Sequence, residues 1–157
     1  MKVGIISDTH DRLDRIEKAV SIFNENGIEL LLHAGDFVSP FAVKRFGGLQ
    51  AKLIGVYGNN DGDKLLLKKV AVEMGFEIYS SPYEFNIGNR RAVLMYEPLF
   101  LSYLKDYDLI VYGHTHNLDI RQESPLIINP GDASGWLGKA TSVILDIDSM
   151  KPEVFNL

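Results

Sequence analysis

The first half of the chain alternates short apolar runs with segments of helical periodicity, and this alternation constrains the fold more than any other feature. The apolar runs at 3–6, 30–34 and 53–57 end in polar residues and are typical of buried strands. Helical apolar spacing follows each of them. Strands that alternate with helices favour a sheet with helices packed on its outside.

Three helices are expected in this half. In the first, Leu13, Ile16, Val20 and Phe23 lie on one face, Asp11 is the expected N-cap and Gly27 follows the end. A short helix at 41–46 begins after Ser39-Pro40, because proline is favoured at the start of a helix. The third contains an apolar stripe and ends at Gly75; the stripe consists of Leu66, Leu67, Val70, Ala71 and Met74.

The second half has the character of an antiparallel region. Residues 83–87 and 91–96 flank Gly88-Asn89, which indicates a hairpin. A short helix at 98–105 and a strand at 109–112 follow, and further strands are expected near 119–122, 126–128, 140–147 and 153–156. Together the two halves predict an α/β protein with two packed sheets and helices outside. We find no linker and expect one domain over 1–157.

Composition narrows the class of protein. A chain of 157 residues fits one domain, and 46% hydrophobic with 24% charged residues excludes disorder of its bulk. Cysteine is absent, which excludes thiolate metal sites and thiol nucleophiles. No apolar stretch approaches the ~20 residues of a membrane helix, and the N-terminus turns polar too soon for a signal peptide. We therefore expect a cytoplasmic protein without membrane contact.

The net charge of −5 argues against extended nucleic-acid binding. It leaves room for a single phosphoester held by a local positive centre. Other routes to phosphate chemistry are absent from the sequence, which has no G-x-x-x-x-G-K-[ST] loop, no G-x-G-x-x-G fingerprint and no G-x-S-x-G motif.

The polar residues that follow the apolar strands are the most informative. They form four short motifs, which are Ser7-Asp8-Thr9-His10, His33-Ala34-Gly35-Asp36, Gly58-Asn59-Asn60-Asp61 and Gly113-His114-Thr115-His116. The carboxyl ends of strands in α/β sheets converge on one crevice. We therefore expect these four loops to meet in space.

The side chains of these motifs would supply the donors of a metal centre. Their carboxylates, amide oxygen and imidazoles suit divalent ions such as Mn²⁺, Fe²⁺, Zn²⁺ or Co²⁺. Two such ions would outweigh the charges of Asp8 and Asp36 and attract a phosphate group. A metal-bound water with a lowered pKa would then serve as the nucleophile.

Each motif also has a purely structural interpretation. Asp8 could cap a helix, and Asp36 and Asn59 follow glycine as ordinary turn residues do. The pair His114 and His116 could be solvated residues of an extended segment. The joint occurrence at four strand ends favours the metal centre. His33, inside an apolar run, is interpreted as a hydrogen-bonded residue of the core or of the layer behind the ligands.

The order of these motifs resembles that of the calcineurin-like metallophosphoesterases. The resembling segments are Asp8-x-His10, Gly35-Asp36, Gly58-Asn59-x-Asp61, Gly113-His114-x-His116 and the Asn129-Pro130-Gly131 turn. The likeness is greatest to the small single-domain group of YfcE-type and archaeal phosphodiesterases, and it covers nearly the whole chain. It implies a four-layer α/β/β/α sandwich of two mixed sheets with a dinuclear metal site at one end.

The resemblance also implies roles for individual residues. Asp8, His10 and His116 resemble ligands of the first metal. Asp36 resembles the bridging carboxylate, and Asn59 and His114 resemble ligands of the second metal. Asp36, Asn59 and His114 are therefore the candidate catalytic residues.

Two positions depart from the family pattern. Asn60 stands where larger members have a histidine that assists the leaving group. Tyr96 stands where the family usually has a histidine that binds the second metal, and a neutral phenol is a poor ligand at pH 7. Glu97 could supply a carboxylate oxygen instead; alternatively Tyr96 packs and Glu97 is solvated.

The sequence thus predicts a metal-dependent phosphoesterase, with a phosphodiesterase favoured. The expected cofactor is one or two divalent ions per chain, Mn²⁺ being favoured over Ni²⁺, Fe²⁺, Zn²⁺ or Co²⁺. The expected substrate is a small phosphodiester or phosphomonoester, and a homo-oligomer is compatible with the sequence. The alternatives are a non-catalytic protein-binding scaffold on the same fold, as in the retromer subunit of this group, and a metal-binding regulatory domain.

Overall fold

Two mixed β-sheets form the centre of the structure, a computed structural model that describes all 157 residues. The eleven strands are β1 (Lys2–Ile6), β2 (Leu30–His33), β3 (Lys52–Val56), β4 (Glu77–Tyr79), β5 (Tyr83–Ile87), β6 (Arg90–Leu94), β7 (Leu109–Val111), β8 (Leu118–Gln122), β9 (Leu126–Pro130), β10 (Thr141–Asp146) and β11 (Lys151–Asn156). The helices are α1 (Leu13–Glu25), α2 (Pro40–Arg45) and α3 (Lys64–Glu73), with 3-10 turns at Phe46–Gly48 and Leu101–Tyr103.

The first sheet has six strands in the order β11-β10-β1-β2-β3-β4. The four strands β1 to β4 run parallel to one another, and β10 and β11 extend this sheet in antiparallel fashion. Parallel strands need crossover connections, and α1, the α2 region and α3 provide them in turn. This parallel half places the ends of β1, β2 and β3 at the same edge of the sheet.

The second sheet has five strands in the order β5-β6-β7-β9-β8. Its centre is parallel, with β7 between β6 and β9, and β5 and β8 are antiparallel edge strands. The predicted hairpin around Gly88-Asn89 joins β5 to β6. In this sheet the loop with His114 and His116 begins at the end of β7, and the Tyr96-Glu97 segment follows the end of the neighbouring strand β6.

Both faces of β2 are covered, which explains why its first three residues are all leucine. Leu30 and Leu32 belong to the core between the two sheets, while Leu31 belongs to the core between the first sheet and the helices. A strand covered on both faces is typically apolar at successive positions rather than at alternate ones. Ile16, Phe23 and their helical neighbours cover the helix side, as their spacing predicts.

The outer face of the second sheet is covered differently from that of the first. A small cluster there contains Val93, Met95, Ile110, Tyr112 and Ile127, and it is packed by Leu101, Leu104 and Tyr107. The covering segment contains one 3-10 turn at Leu101–Tyr103 rather than the helix expected over 98–105. The predicted sandwich of two mixed sheets with outer layers is confirmed, and this fourth layer is its thinnest part.

The structure differs from the sequence predictions at one helix cap, one helix position and one strand. Arg12, not Asp11, is the N-cap of α1, because the Asp11 carboxylate accepts a 2.5 Å hydrogen bond from Ser39 instead. Leu66 on α3 is 43% exposed, so it lies outside the buried stripe formed by Leu67, Val70 and Ala71. The short strand β4 had no sequence prediction.

None of the helices combines the length and the apolar character that crossing a membrane would require.

Candidate metal centre

The four polar loops lie together at the strand ends, linked by hydrogen bonds between loops. The amide of Asp8 donates to Gly35 O at 3.0 Å, and that of His10 donates to Asp36 O at 3.1 Å. The amide of His114 donates to Asp8 Oδ2 at 3.1 Å. Loops from both sheets are therefore held against one another, with the Asp8 loop in the middle.

Five of the predicted ligand residues adopt left-handed backbone conformations. The φ angles are 56° at Asp8, 41° at His10, 61° at Asp36, 65° at His114 and 57° at His116. Residues other than glycine adopt this region at a cost of about 1–3 kcal/mol, and such residues cluster at functional sites. Their concentration on these loops marks the strand ends as a specialised site.

Two glycines allow the loops to approach closely. A Cβ atom on Gly58 would lie 2.1 Å from Asp36 Oδ1, and one on Gly113 would lie 2.0 Å from Ser7 Oγ. Neither distance is compatible with van der Waals contact. The glycines that precede Asn59 and His114 are therefore required for the packing of neighbouring ligand loops.

Three predicted ligands of the first metal form a compact group. Donor atoms of Asp8, His10 and His116 all lie within 4.8 Å of one another. Asp8 Oδ1 is 3.7 Å from His10 Nε2 and 3.5 Å from His116 Nε2. The two imidazole rings stack with their centroids 5.2 Å apart.

This group has unpartnered buried donor atoms, which is what an ion-binding position requires. Asp8 Oδ1 and His10 Nε2 are buried and make no hydrogen bond, although Asp8 Oδ2 accepts one from Ser7 Oγ at 2.6 Å. Leaving buried polar atoms unpaired is costly. The Asp8 carboxylate raises the pKa of His10, against the effect of burial, and Asp36 and Asp132 add to this increase. The group thus attracts positive charge, and its donors fit a divalent cation.

Asp36 lies beside this group and is tied to the next loop. Its Oδ2 is 3.5 Å from His10 Nε2. Asp36 Oδ2 accepts a hydrogen bond from the side-chain amide of Asn60 at 2.8 Å, and Asp36 Oδ1 accepts one from the backbone amide of Asn60 at 2.9 Å. Asn60, which departs from the family pattern, therefore orients the carboxylate that is predicted to bridge two metals.

Tyr96 reaches the predicted second-metal position through its hydroxyl. The hydroxyl oxygen lies 2.6 Å from Asp36 Oδ2 and 2.6 Å from Asn59 Oδ1. Burial raises the pKa of Tyr96 far above its ordinary value, and the contact with Asp36 raises it further, so the phenol is a neutral donor. Tyr96 is buried, in agreement with the interpretation that it packs and Glu97 is solvated. Its hydroxyl nevertheless points into the site.

The remaining predicted residues of the second site are less enclosed. Asn59 and His114 are exposed, and the His114 ring lies 4.8 Å from the Tyr96 ring, centroid to centroid. The Glu97 side chain is exposed and makes no hydrogen bond or ion pair. The structure thus brings Asp36, Asn59 and His114 around Tyr96, whereas Glu97 is not tied to them.

Asp132 is a functional candidate that was not identified from the sequence. Its Oδ2 lies 3.1 Å from His116 Nδ1, at ion-pair distance but outside hydrogen-bond geometry. Burial alone would raise the pKa of Asp132, but hydrogen bonds from Ser134 and Leu137 and the neighbouring His116 lower it. A carboxylate behind a ligand histidine orients the ring and strengthens the opposite nitrogen as a donor. The sequence signal was an acidic residue directly after the strand end at Asn129-Pro130-Gly131.

Asp61 and Asn129 fix the loops themselves. Asp61 accepts hydrogen bonds from the amides of Gly58 at 2.7 Å, Val38 at 2.7 Å and Asp36 at 3.2 Å. Asn129 donates its side-chain amide to Gly113 O and Thr115 Oγ1, both at 2.9 Å. These two side chains thus hold the Asp36, Asn59 and His114 loops without facing an ion.

His33 lies behind the candidate ligands, as its position in an apolar run indicates. Its Nδ1 accepts from the Gly35 amide at 3.2 Å, and its Nε2 is 3.1 Å from Thr9 Oγ1. The ring stacks on Phe37 with centroids 3.6 Å apart. Complete burial, with a smaller contribution from the charge of His10, lowers the pKa of His33 to about 3. A neutral His33 therefore links two ligand loops through the core.

Comparisons with known proteins identify relatives over nearly the whole chain. A phosphodiesterase of Methanocaldococcus jannaschii is 40% identical over 160 residues, covering 94% of each chain. Phosphodiesterase YfcE of Escherichia coli is 29% identical over 154 residues, covering 85% of this chain and 80% of its own. The solved structure of an archaeal phosphodiesterase superposes with a TM-score of 0.94 at 36% identity over the full length of both chains.

More distant structures agree in fold. The solved structure of the Escherichia coli protein has a TM-score of 0.74 at 22% identity, covering 99% of this chain and 98% of that one. The calcineurin-like phosphoesterase superfamily domain matches residues 1–150, which include every loop of the candidate metal centre. The chain therefore belongs to the calcineurin-like phosphoesterase superfamily.

Proposed function

We propose that this chain is a metal-dependent phosphodiesterase that hydrolyses small phosphodiesters at the centre formed by the four strand-end loops. The observation that carries the proposal is the group of Asp8, His10 and His116, whose donor atoms lie within 4.8 Å of one another. Membership of a phosphoesterase superfamily and relatives named as phosphodiesterases support the same reaction.

Asp8, His10 and His116 would hold the first divalent ion. When bound, the ions supply Lewis acidity toward the phosphoryl oxygens and an activated water for attack on phosphorus. Asp132 keeps the His116 ring in place from behind, and Ser7 and the His114 amide bind the second oxygen of Asp8. These contacts leave Asp8 Oδ1 and the two Nε2 atoms facing one another.

The second ion would be held by Asp36, Asn59 and His114, which are therefore the proposed catalytic residues. Tyr96 donates a hydrogen bond toward the oxygens of Asp36 and Asn59 that this ion would use. Binding of a second ion therefore competes with the Tyr96 hydroxyl. We propose that the first ion binds more tightly than the second, and that Glu97 is not a required ligand because its side chain is exposed and unpaired.

Leaving-group departure has no histidine donor at position 60. Asn60 is instead engaged with both oxygens of Asp36. An uncharged amide does not protonate an alkoxide, so the leaving group must depart with little protonation. We therefore propose a preference for esters of acidic alcohols and phenols over alkyl esters.

We propose Mn²⁺ as the favoured ion, ahead of Ni²⁺, Fe²⁺, Zn²⁺ and Co²⁺; the carboxylate and amide oxygens of the donor set suit Mn²⁺. The acidic net charge of −5 supports a small substrate in preference to extended nucleic acid. A cytoplasmic location and a homo-oligomeric state stay predictions from the sequence.

The test is turnover of bis(p-nitrophenyl) phosphate by metal-free protein, with and without added Mn²⁺. We expect activity only with metal, and loss of that activity in the Asp8→Asn variant. A correctly folded protein with stoichiometric metal and no turnover of either this diester or p-nitrophenyl phosphate would contradict the proposal. It would favour the scaffold alternative, since a scaffold can retain the ligands without the reaction.

A further inference from the structure

A cleft of about 430 Å³ lies beside the candidate metal centre. Its lining includes Asn59 and Tyr96, which also form part of the predicted second-metal position. The volume falls within the range of about 300–1,000 Å³ that is typical of small-molecule sites. An occupant of the cleft would therefore adjoin the reacting phosphoryl group.

The cleft has an apolar floor and an apolar wall. Val93 and Met95, both buried, belong to the cluster on the outer face of the second sheet and form part of the lining. Leu99 and Phe100 also line it, although these side chains are 53% and 72% exposed. Large apolar side chains with so much exposed surface gain stability when an apolar ligand covers them.

The charged residues that line the cleft are acidic, although Arg91 lies 4.5 Å from the Tyr107 ring centroid and Lys64 lies 5.5 Å from the Tyr57 ring centroid. Glu84 and Glu97 line it, and no lysine or arginine does. Glu84 is paired with Arg91 at 3.1 Å, whereas Glu97 makes no ion pair. An anionic substituent would meet the Glu97 carboxylate, which no cation pairs with; because Glu97 is exposed, water reduces this repulsion without removing it.

We infer that this cleft binds an uncharged aromatic group esterified to the substrate phosphate, so that the natural substrate is an aryl or aryl-like phosphodiester without a second anionic group nearby. The inference rests on the proposed function, because it places phosphorus at the metal centre. Tyr57, Phe100 and Tyr107 offer aromatic surface to such a ring. Asn59 and Tyr96 join the cleft to the phosphate position.

The test uses three phosphonates, each with one organic group, so that only that group can enter the cleft. They are phenylphosphonate, methylphosphonate and 4-carboxyphenylphosphonate. Binding to the Mn²⁺-loaded protein is measured by calorimetry, and inhibition of bis(p-nitrophenyl) phosphate turnover is measured in parallel. We expect phenylphosphonate to bind about tenfold or more tightly than methylphosphonate, and the carboxylated ring to lose most of this advantage.

Two sets of variants assign the preference to the cleft. The double variant Leu99→Ser, Phe100→Ser should reduce the phenyl-over-methyl ratio at least threefold. The matched control Val72→Ser should keep it, since Val72 is 64% exposed on α3 and lies outside the cleft. Glu97→Gln should tighten the binding of 4-carboxyphenylphosphonate relative to that of phenylphosphonate. Because both ligands share the phosphonate group, the ratio of their affinities cancels any change in phosphonate binding.

Different results would contradict the proposed function and the inference about the cleft. If the protein turns over no phosphoester, the proposed function is wrong, while the calorimetric ratios still report whether the cleft selects a neutral ring. If turnover occurs but the wild type binds phenylphosphonate and methylphosphonate equally, the inference about the cleft is wrong. A phenyl preference that persists unchanged in the Leu99, Phe100 double variant would also overturn it, as would an unchanged ratio in Glu97→Gln.

Discussion

Tyr96 directs its hydroxyl at Asp36, with 2.6 Å between the phenolic oxygen and Asp36 Oδ2. The same hydroxyl is 2.6 Å from Asn59 Oδ1, and one hydrogen cannot be donated to both oxygens at once. Two oxygens predicted to bind the second metal are thus joined by a residue that is itself a poor metal ligand.

Replacing Tyr96 should change the second metal site selectively. Tyr96→His should raise second-metal occupancy and the phosphodiesterase rate together, because the imidazole adds a nitrogen donor where the phenol competes. Metal titration by calorimetry, alongside initial rates, measures both. Tyr96→Phe is the matched control: it removes the hydroxyl without adding a donor and should raise occupancy less.

Two equally tight sites in the wild-type protein, with no gain in Tyr96→His, would show that position 96 never limited metal binding. A gain in metal without any gain in rate would favour the scaffold alternative.

Asp36→Asn should lower activity by at least ~100-fold, the scale of losing a positioned electrostatic group. The fold should survive, because asparagine tolerates the left-handed backbone that Asp36 adopts at φ 61°. Rates and thermal unfolding of the metal-free variant are the measurements. Unchanged turnover would rule out a carboxylate shared between the metals.

The two histidines of the last loop should act on different ions. His116→Ala should empty the first site, which includes Asp8 and His10, whereas His114→Ala should empty the second. Metal content by mass spectrometry, combined with crystallographic occupancy, distinguishes the sites. Loss of the same ion from both variants would contradict this assignment.

Asp132→Asn should weaken the first metal site about 10- to 100-fold, the usual effect of removing a carboxylate behind a ligand histidine. The measurement is the Kd for Mn²⁺. Ser134→Ala is the control, because it removes the hydroxyl that contacts Asp132 and leaves the contact between Asp132 and His116 in place. An equal loss in both variants would mean that the loop, not the His116 contact, determines affinity.

His33 should make stability depend on pH below about 6.5. Its pKa is lowered to about 3 by burial, so the folded state binds the proton less readily than the unfolded state does. This contribution is fully present above the unfolded pKa of about 6.5 and is lost as the pH falls toward 3, at about 1.4 kcal/mol per pH unit.

Denaturant unfolding of metal-free protein between pH 7 and pH 4 (roughly the window of this shift) tests the effect. His33→Gln, which does not titrate, should show a shallower loss of stability than the wild type. Parallel curves for the two proteins would show that His33 is not the source.

The sequence determined the layered α/β sandwich and the position of its site. Runs such as 30–32 are apolar at every position because both faces of the strand are covered, and this requirement is local enough to be visible in the sequence. The ligands stand directly after strands, so the convergence of Asp8, Asp36 and Asn59 follows from the parallel pairing of β1, β2 and β3, whereas the His114 loop joins them only when the second sheet packs against the first.

Only the tertiary structure decided how the residues of the site contact one another. Tyr96 and Asp36 are separated by 60 positions, and Asp132 meets His116 across the end of another strand. Such contacts depend on side-chain direction and on angstrom-scale distances between two sheets, which neither periodicity nor motif spacing encodes. For the same reason the cleft beside Asn59 was invisible in the sequence: its walls come from segments 57–59, 81–84 and 93–107, which adjoin only after both sheets have packed.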